Sequence, residues 1–198
     1  MMHQTGRYVE LIWIGMVILT LGNGLYIHLN PFSTIGEVIG FQIAAGIGNG
    51  LLFQTPIIAI QAMVTQADMV ATATSTLGFV RNLGTCIGII MGGIVFQNGM
   101  QSQRRNLDSA GIPHNVTEML SGNAAAANFG VVNTLSNPAH ILAAKEAFSW
   151  SLRNLWIMCT CLGAAGIIAS VFIKKTPLSK EHVETKTGLK PRPQADDP

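Results

Sequence analysis

Residues 46–61 read GIGNGLLFQTPIIAIQ, a stretch without a charged side chain. It lies within a longer uncharged window, residues 39–64. A helix rises about 1.5 Å per residue, so this window is long enough to cross a hydrocarbon layer of about 30 Å. The stretch therefore predicts a transmembrane helix.

Three further windows share this character, and we name the four in chain order span A (11–29), span B (39–64), span C (72–97) and span D (155–173). Together they contain only one charged residue, Arg81, in a chain that is 11% charged overall. A typical soluble domain is roughly 25% charged. The sequence thus predicts an all-α membrane protein with four transmembrane helices.

The connections differ in length and composition. Residues 30–38 and 65–71 are short, which predicts that spans A, B and C are closely connected antiparallel helices. Residues 98–154 carry seven charges and predict a long loop, whose last part, 138–154, has the spacing of an interfacial helix that leads into span D. The tail 174–198 is rich in proline and charge and is predicted to be disordered.

Basic residues next to the spans predict the orientation. Arg7 precedes span A, and Lys174 and Lys175 follow span D. Positive flanks mark the cytosolic side, so we expect a cytosolic start over residues 1–10, a cytosolic tail and an external loop 98–154. Asn115 begins an Asn-Val-Thr glycosylation signal in that loop, and it is either used or an unused chance tripeptide.

Several function classes are excluded by what the sequence lacks. A net charge of +2 with scattered basic residues gives no nucleic-acid footprint. Paired carboxylates, or a nucleophile with its base, are missing at the span ends, so we expect no enzyme activity. The three cysteines do not have metal-ligand spacing, and we expect neither a metal nor a cofactor. Membrane lipid is the expected surrounding.

Span B carries uncharged polar residues. Gly46, Gly50, Gln54 and Gln61 fall on one helical face, and Asn49 lies on another. Either the glycines let a neighbouring helix approach while the amides bond across the contact, or the amides line a water-filled route for a substrate.

Individual residues inside spans B and C predict local features of these helices. Pro56 removes a backbone donor inside span B, which predicts a kink that either serves as a hinge or only shapes packing. Gly84, Gly88 and Gly92 repeat every four residues in span C, a spacing that favours close helix packing. Arg81 in the same span is predicted either to anchor the helix end or to serve a gate.

The runs GIGNGLLFQTPIIAIQ (46–61), ATATSTLGFVRNLGTCIGIIMGGIVFQN (71–98) and SVFIKKTPLSK (170–180) resemble the C-terminal helices of fungal major facilitator efflux transporters. The similarity is to the fourteen-span drug:proton antiporter branch, which includes mycotoxin and multidrug exporters. It covers 6–98 and about 145–180, with a loosely similar stretch between them.

The resemblance implies that spans A to D are the last four helices of a major facilitator fold. Span B is then a cavity-lining helix, which makes Asn49, Gln54 and Gln61 substrate-cavity candidates and gives Pro56 a place in the conformational change. Arg81 matches an arginine of the family at the cytosolic side, so a role at the inner gate becomes as well supported as anchoring. The implied membrane is the plasma membrane.

The helices that such a transporter has before this point would be missing partners of the chain. We therefore expect a fragment, a truncated product or a partial gene model of an exporter, with a small-molecule substrate only in the complete transporter. The alternative is an independent four-span structural or interaction protein that transports nothing.

Overall fold

A computed structural model describes residues 8–64, 67–121 and 125–172, and this part of the chain is helical without a strand. The predicted tail 174–198 and most of the predicted start 1–10 lie outside the described residues. The helices are α1 (Tyr8–Leu25), continued by a 3-10 turn (Tyr26–His28), α2 (Ile35–Met63), α3 (Ala67–Ser102), α4 (Arg104–Ser109), α5 (His114–Ser121), a 3-10 helix (Ala127–Thr134) and α6 (Pro138–Ser170).

Four of these helices, α1, α2, α3 and α6, are long and apolar enough to cross a membrane, which confirms the prediction of four spans. Little of each apolar stretch is buried inside the chain. Large aliphatic and aromatic side chains such as Ile89 and Phe79, 70% and 63% exposed, point away from the protein along α3. Such surfaces suit lipid or further helices, and they do not suit water.

Local side-chain bonds set the turn between α1 and α2. Asn30 accepts a hydrogen bond from the Phe32 amide, and Thr34 caps α2 by accepting one from the Glu37 amide. The Glu37 carboxylate accepts one from the Thr34 amide in return, which completes a capping box. The chain therefore reverses within a few residues and starts α2 antiparallel to α1.

Glycines allow α1 and α2 to pack closely. A Cβ atom at Gly48 would lie 2.5 Å from the backbone nitrogen of Leu19, and one at Gly22 would lie 2.7 Å from the Cα atom of Ala45. By contrast, a Cβ atom at Gly50 would meet no atom of the described residues within 4 Å. The side of α2 that carries Gly48 is thus the side that contacts α1.

Replacement of Gly48 by alanine is expected to destabilise the chain by about 1–3 kcal/mol, because the methyl group overlaps the α1 backbone. Gly50→Ala is the matched control, since it adds the same methyl to the same helix in open space and gains up to about 1 kcal/mol of helix propensity. Unfolding titrations in mixed micelles, followed by circular dichroism, measure the difference. Equal stabilities of the two variants would contradict this packing.

Helix α6 joins the remaining spans. Gly163 of α6 approaches Thr20 of α1, and a Cβ atom there would lie 2.6 Å from the Thr20 Oγ1 atom. On another side, Ser151 of α6 lies against Gly99 of α3. Helix α3 contacts α6 more extensively than it contacts α2. Within the described ranges, α3 therefore has its larger helix contact with α6.

The prediction of a long loop over 98–154 needs correction. Helix α3 continues to Ser102, and the segment after it folds into α4, α5 and a 3-10 helix. These elements enclose a hydrophobic core together with the ends of α3 and α6, and we call this unit the cap. Its fully buried side chains include Met100, Leu107, Leu120 and Val132.

The cap folds because its turns are well specified. Gly111 has a φ of 81°, and its amide donates to the Asp108 carbonyl while the Ile112 amide donates to the Leu107 carbonyl. These bonds form a Schellman motif, in which the residue after the helix takes a left-handed conformation that glycine adopts without strain. Ile112 and Leu107 are both buried, so the turn also closes the core.

The predicted interfacial helix 138–154 and span D form one continuous helix, α6, of 33 residues or about 50 Å. Asn137 caps it by accepting from the Ala139 amide, and Pro138 occupies its first turn. Between Pro138 and Ser170 there is no further proline, and the charged Lys145, Glu146 and Arg153 do not interrupt a helix. A change from polar to apolar composition therefore marks a change of surroundings and not a helix end.

Candidate functional site

The candidate site begins with a broken turn in α2. A helical carbonyl normally accepts from the amide four residues later, and for Leu52 that residue is Pro56, which has no amide hydrogen. The Leu52 carbonyl is therefore left without its helical donor. In an apolar surrounding an unpaired carbonyl is costly, so another donor is needed there.

Arg81 of α3 supplies that donor. Its Nη2 atom donates to the Phe53 carbonyl at 2.9 Å and lies 3.4 Å from the Leu52 carbonyl. The centre of its guanidinium group, Cζ, lies 4.1 Å from the centroid of the Phe53 ring. The arginine thus binds both carbonyls of the broken turn and stacks on the neighbouring aromatic face.

These contacts explain how a charged side chain is accommodated between two apolar helices. A cation in hydrocarbon is costly unless polar groups receive it, and two carbonyl oxygens and an aromatic face do so here. Arg81 is partly buried, and no carboxylate among the described side chains lies within ion-pair distance of it.

The predicted polar and small residues of α2 are exposed, Asn49 on one side of the helix and the others on a neighbouring side. Gly46, Asn49, Gly50, Gln54 and Gln61 are all exposed. The opposite face, which carries the buried Gly48, Thr55 and Ala59, is the one that contacts α1. The amides therefore do not bond across the contact between α1 and α2, and their packing against another neighbouring helix stays a prediction.

The site thus combines exposed polar side chains on α2 with a turn at Pro56 whose carbonyl oxygens accept hydrogen bonds from Arg81 of another helix. Gln54 lies between Phe53, whose carbonyl binds Arg81, and Pro56, which breaks the turn. A rotation or shift of α3 would move Arg81, and the turn next to Gln54 would lose its donor. Arg81 therefore links α3 directly to the turn next to Gln54.

The glycines predicted to pack helices show a mixed result. A Cβ atom at Gly46, Gly50, Gly84 or Gly88 would meet nothing within 4 Å among the described residues. Gly92 lies in ordinary contact with Leu155 of α6, at 3.6 Å from its Cδ1 atom. The close packing predicted for the other four stays a prediction that concerns partners outside this part of the chain.

Sequence reasoning missed the glycines that do pack. Gly15 and Gly22 of α1 are seven residues apart, which places them on one helical face, and both approach α2. That spacing is the signal that could have identified them. Which of several small-residue patterns packs within the chain depends on how each helix is rotated, and the pattern itself does not specify the rotation.

The remaining predicted features lie in or near the cap. Asn115 is exposed near the start of α5, whereas Thr117, the other residue that a glycosylation enzyme needs, is fully buried. Glycosylation of Asn115 therefore stays a prediction. Within the described ranges, no group of three His, Cys, Asp or Glu side chains could hold a metal ion.

Comparison with known proteins gives relatives along nearly the whole chain. An MFS-type transporter of Aspergillus terreus is 38% identical over 186 residues, which is 94% of this chain and 33% of that protein. The efflux pump dotC of Dothistroma septosporum is 34% identical over 193 residues, 98% of this chain and 32% of the pump.

A third relative is the acurin A biosynthesis cluster MFS-type transporter of Aspergillus aculeatus, 31% identical over 194 residues, with 96% of this chain and 34% of that protein covered. No protein-family model matches the chain, and no solved structure matches it. The chain spans about a third of the length of these curated relatives.

Proposed function

Because the chain belongs to the family of fungal MFS-type transporters, of which it spans about a third, we propose that it forms part of a membrane transporter that exports small molecules. The name of one relative, an efflux pump, supports the direction of transport. The name of another, from a biosynthesis cluster, supports secondary metabolites as the cargo. We further propose that these helices are the last four of a fourteen-helix bundle that works by proton antiport.

The observation that carries this proposal is the set of exposed amides on α2 beside the turn at Pro56, whose carbonyls accept from Arg81. Uncharged amides can exchange hydrogen bonds with a passing solute and with water, at little electrostatic cost. In a transporter that alternates between two open states, such a face lines the route. The donor from α3 then gives the route a structural link to the movement of a neighbouring helix.

We propose that the protein lies in the plasma membrane. Both termini are then in the cytosol, and the cap is outside the cell. Arg7 and the lysines after span D support this orientation through the positive-inside rule. Labelling of a cysteine at the exposed Ser109 in intact cells, in a background without the native cysteines, tests the cap side. Labelling only after the cells are permeabilised would show that the cap lies on the cytosolic side and would contradict the proposed orientation.

Replacement of Gln54 or Gln61 by leucine is expected to change which compounds the complete transporter exports, with near-normal protein levels. Both side chains are exposed on the polar face of α2, so the change removes hydrogen bonds to a solute without disturbing the contact with α1. Each lost bond costs about 0.5–1.5 kcal/mol, or a few-fold to about tenfold in export rate.

Export assays over a panel of compounds measure this effect. Gln101→Leu is the control, because it makes the same change at an exposed position in the last turn of α3, away from α2. An unchanged spectrum and rate for both α2 variants would show that the amides only support packing.

A further inference from the structure

A recess of ≈ 330 Å³ lies where the turn between α1 and α2 meets α6. The 3-10 helix of the cap borders it with Phe129. We call it the basic recess, and it is separate from the α2 face and from Arg81. Its volume is at the lower end of the range of small-molecule sites, about 300–1,000 Å³.

The apolar wall of the basic recess is formed by packed aromatic rings. Tyr26 stacks on Trp156 with the ring centroids 4.4 Å apart, and Phe129 meets Phe148 edge to face at 4.9 Å. The Ser149 hydroxyl donates to the Leu29 carbonyl at 3.1 Å, which ties α6 to the turn. The wall is therefore held in place by contacts between three separate segments of the chain.

Two cations border the same space. Lys145 and Arg153 lie eight residues apart on α6, within about 80° of each other around the helix axis, and both are exposed lining residues. Among the residues that the structure describes, no acidic side chain lines the recess. Glu37, near the turn, bonds to the backbone of Thr34, and Glu146, seven residues before Arg153 on α6, lies outside the lining.

This combination selects the chemistry of a ligand. An aromatic wall binds an apolar body, while two cations without a carboxylate partner among the described residues favour an anionic group. A cationic ligand would meet repulsion from both side chains. Membrane proteins also place aromatic residues together with Lys and Arg at the membrane interface, where they contact lipid head groups.

We propose that the basic recess binds an anionic amphiphile, a molecule with an apolar body and one carboxylate, sulfonate or phosphate group. Tyr26 and Trp156 contact the body, and Lys145 and Arg153 bind the anionic oxygens. Both a phospholipid and a soluble organic acid have this chemistry. The site is independent of whether the chain takes part in export.

The probe for this site is 1-anilinonaphthalene-8-sulfonate, an aromatic sulfonate that accepts energy from tryptophan. The full chain is placed in phosphatidylcholine nanodiscs with Trp13 and Trp150 replaced by phenylalanine, so that Trp156 is the sole donor. Empty nanodiscs give the background. Saturable energy transfer from Trp156 is expected, and its absence would overturn the proposal.

Lys145→Gln and Arg153→Gln, singly and then together, are expected to weaken probe binding, by about tenfold for the pair. Both residues are exposed, so folding should tolerate the changes. Arg153→Lys keeps the charge and should retain most of the affinity. Arg105→Gln, at an exposed cation outside the lining, is the control. An equal loss of probe affinity in this control would overturn the proposed site. An unchanged affinity in the Lys145→Gln, Arg153→Gln double variant would also overturn it.

A second set of nanodiscs, with about one fifth phosphatidic acid, distinguishes the two ligand sources. If the anionic lipid displaces the probe and Arg153→Gln abolishes that competition, the recess holds a lipid phosphate. If the lipid does not compete while a soluble aromatic carboxylate does, it holds a free organic acid. Failure of both to compete would overturn the anionic specificity.

Discussion

Replacement of Arg81 by leucine is expected to destabilise the chain by about 1–3 kcal/mol, and this cost should shrink when Pro56 is replaced by alanine. The leucine leaves the Leu52 carbonyl without a donor in an apolar surrounding. Alanine at position 56 restores an amide hydrogen four residues after Leu52, so the helix then satisfies that carbonyl itself. The two changes are therefore expected to compensate in part.

The measurement is a double-mutant cycle. The four proteins are unfolded with dodecyl sulfate in mixed micelles, and the free energies of unfolding give the coupling between positions 56 and 81. We expect about 1–2 kcal/mol, because the two residues act on one carbonyl. Arg105→Leu in the cap controls for loss of a cation elsewhere.

A second variant separates charge from geometry. Arg81→Lys keeps a cation but replaces the planar group with a single ammonium, which cannot stack on Phe53 and bind two carbonyls in the same way. It should fall between the native protein and the leucine variant. Additive effects of the changes at 56 and 81 would mean that Arg81 does not serve the broken turn, and anchoring at the membrane surface would then explain it.

The 198-residue chain expressed by itself is expected to insert into membranes and to show no energy-dependent export. Its four long helices satisfy their own backbone hydrogen bonds, which permits insertion. Alternating access needs a route bounded on all sides, and the amide face of α2 is exposed, with none of the described helices across from it.

Cells that lack their own exporters provide the test, with accumulation of fluorescent drugs as the readout. A complete homologous transporter in the same cells is the positive control. Export by the chain that is lost on Gln54→Leu would show that four spans suffice, as an assembly of copies. Membrane insertion without any export is the expected result. It agrees with part of a transporter and also with the alternative, a structural or interaction protein.

The spans could be predicted because the cost of charge in hydrocarbon leaves a strong mark on composition. The polar face of α2 also followed from helical geometry, and its residues are exposed in the structure. The contact between Arg81 and the turn at Pro56 did not follow, although both residues had been singled out. It depends on the rotation and depth of α3 relative to α2, and a short link between the helices fixes neither.

The cap could not be predicted for a different physical reason. Its buried residues are spread over α3, α4, α5, the 3-10 helix and α6, and many of the intervening residues are Ala, Asn, Ser and Gly. Each of these helices contributes only one to three buried apolar residues, so the core forms only when the segments meet. The composition of 98–137 was therefore interpreted as a loop.

The cap and the spans are expected to unfold into different surroundings, the cap into water and the spans into lipid. When its core around Met100 and Leu107 opens, apolar surface passes into water, a step that carries a positive heat-capacity change and responds to urea. When the spans separate, their apolar side chains pass from one another into lipid, and neither signature follows. We therefore expect calorimetry and urea to report mainly on the opening of the cap core, which includes the ends of α3 and α6, and much less on the separation of the spans within the bilayer.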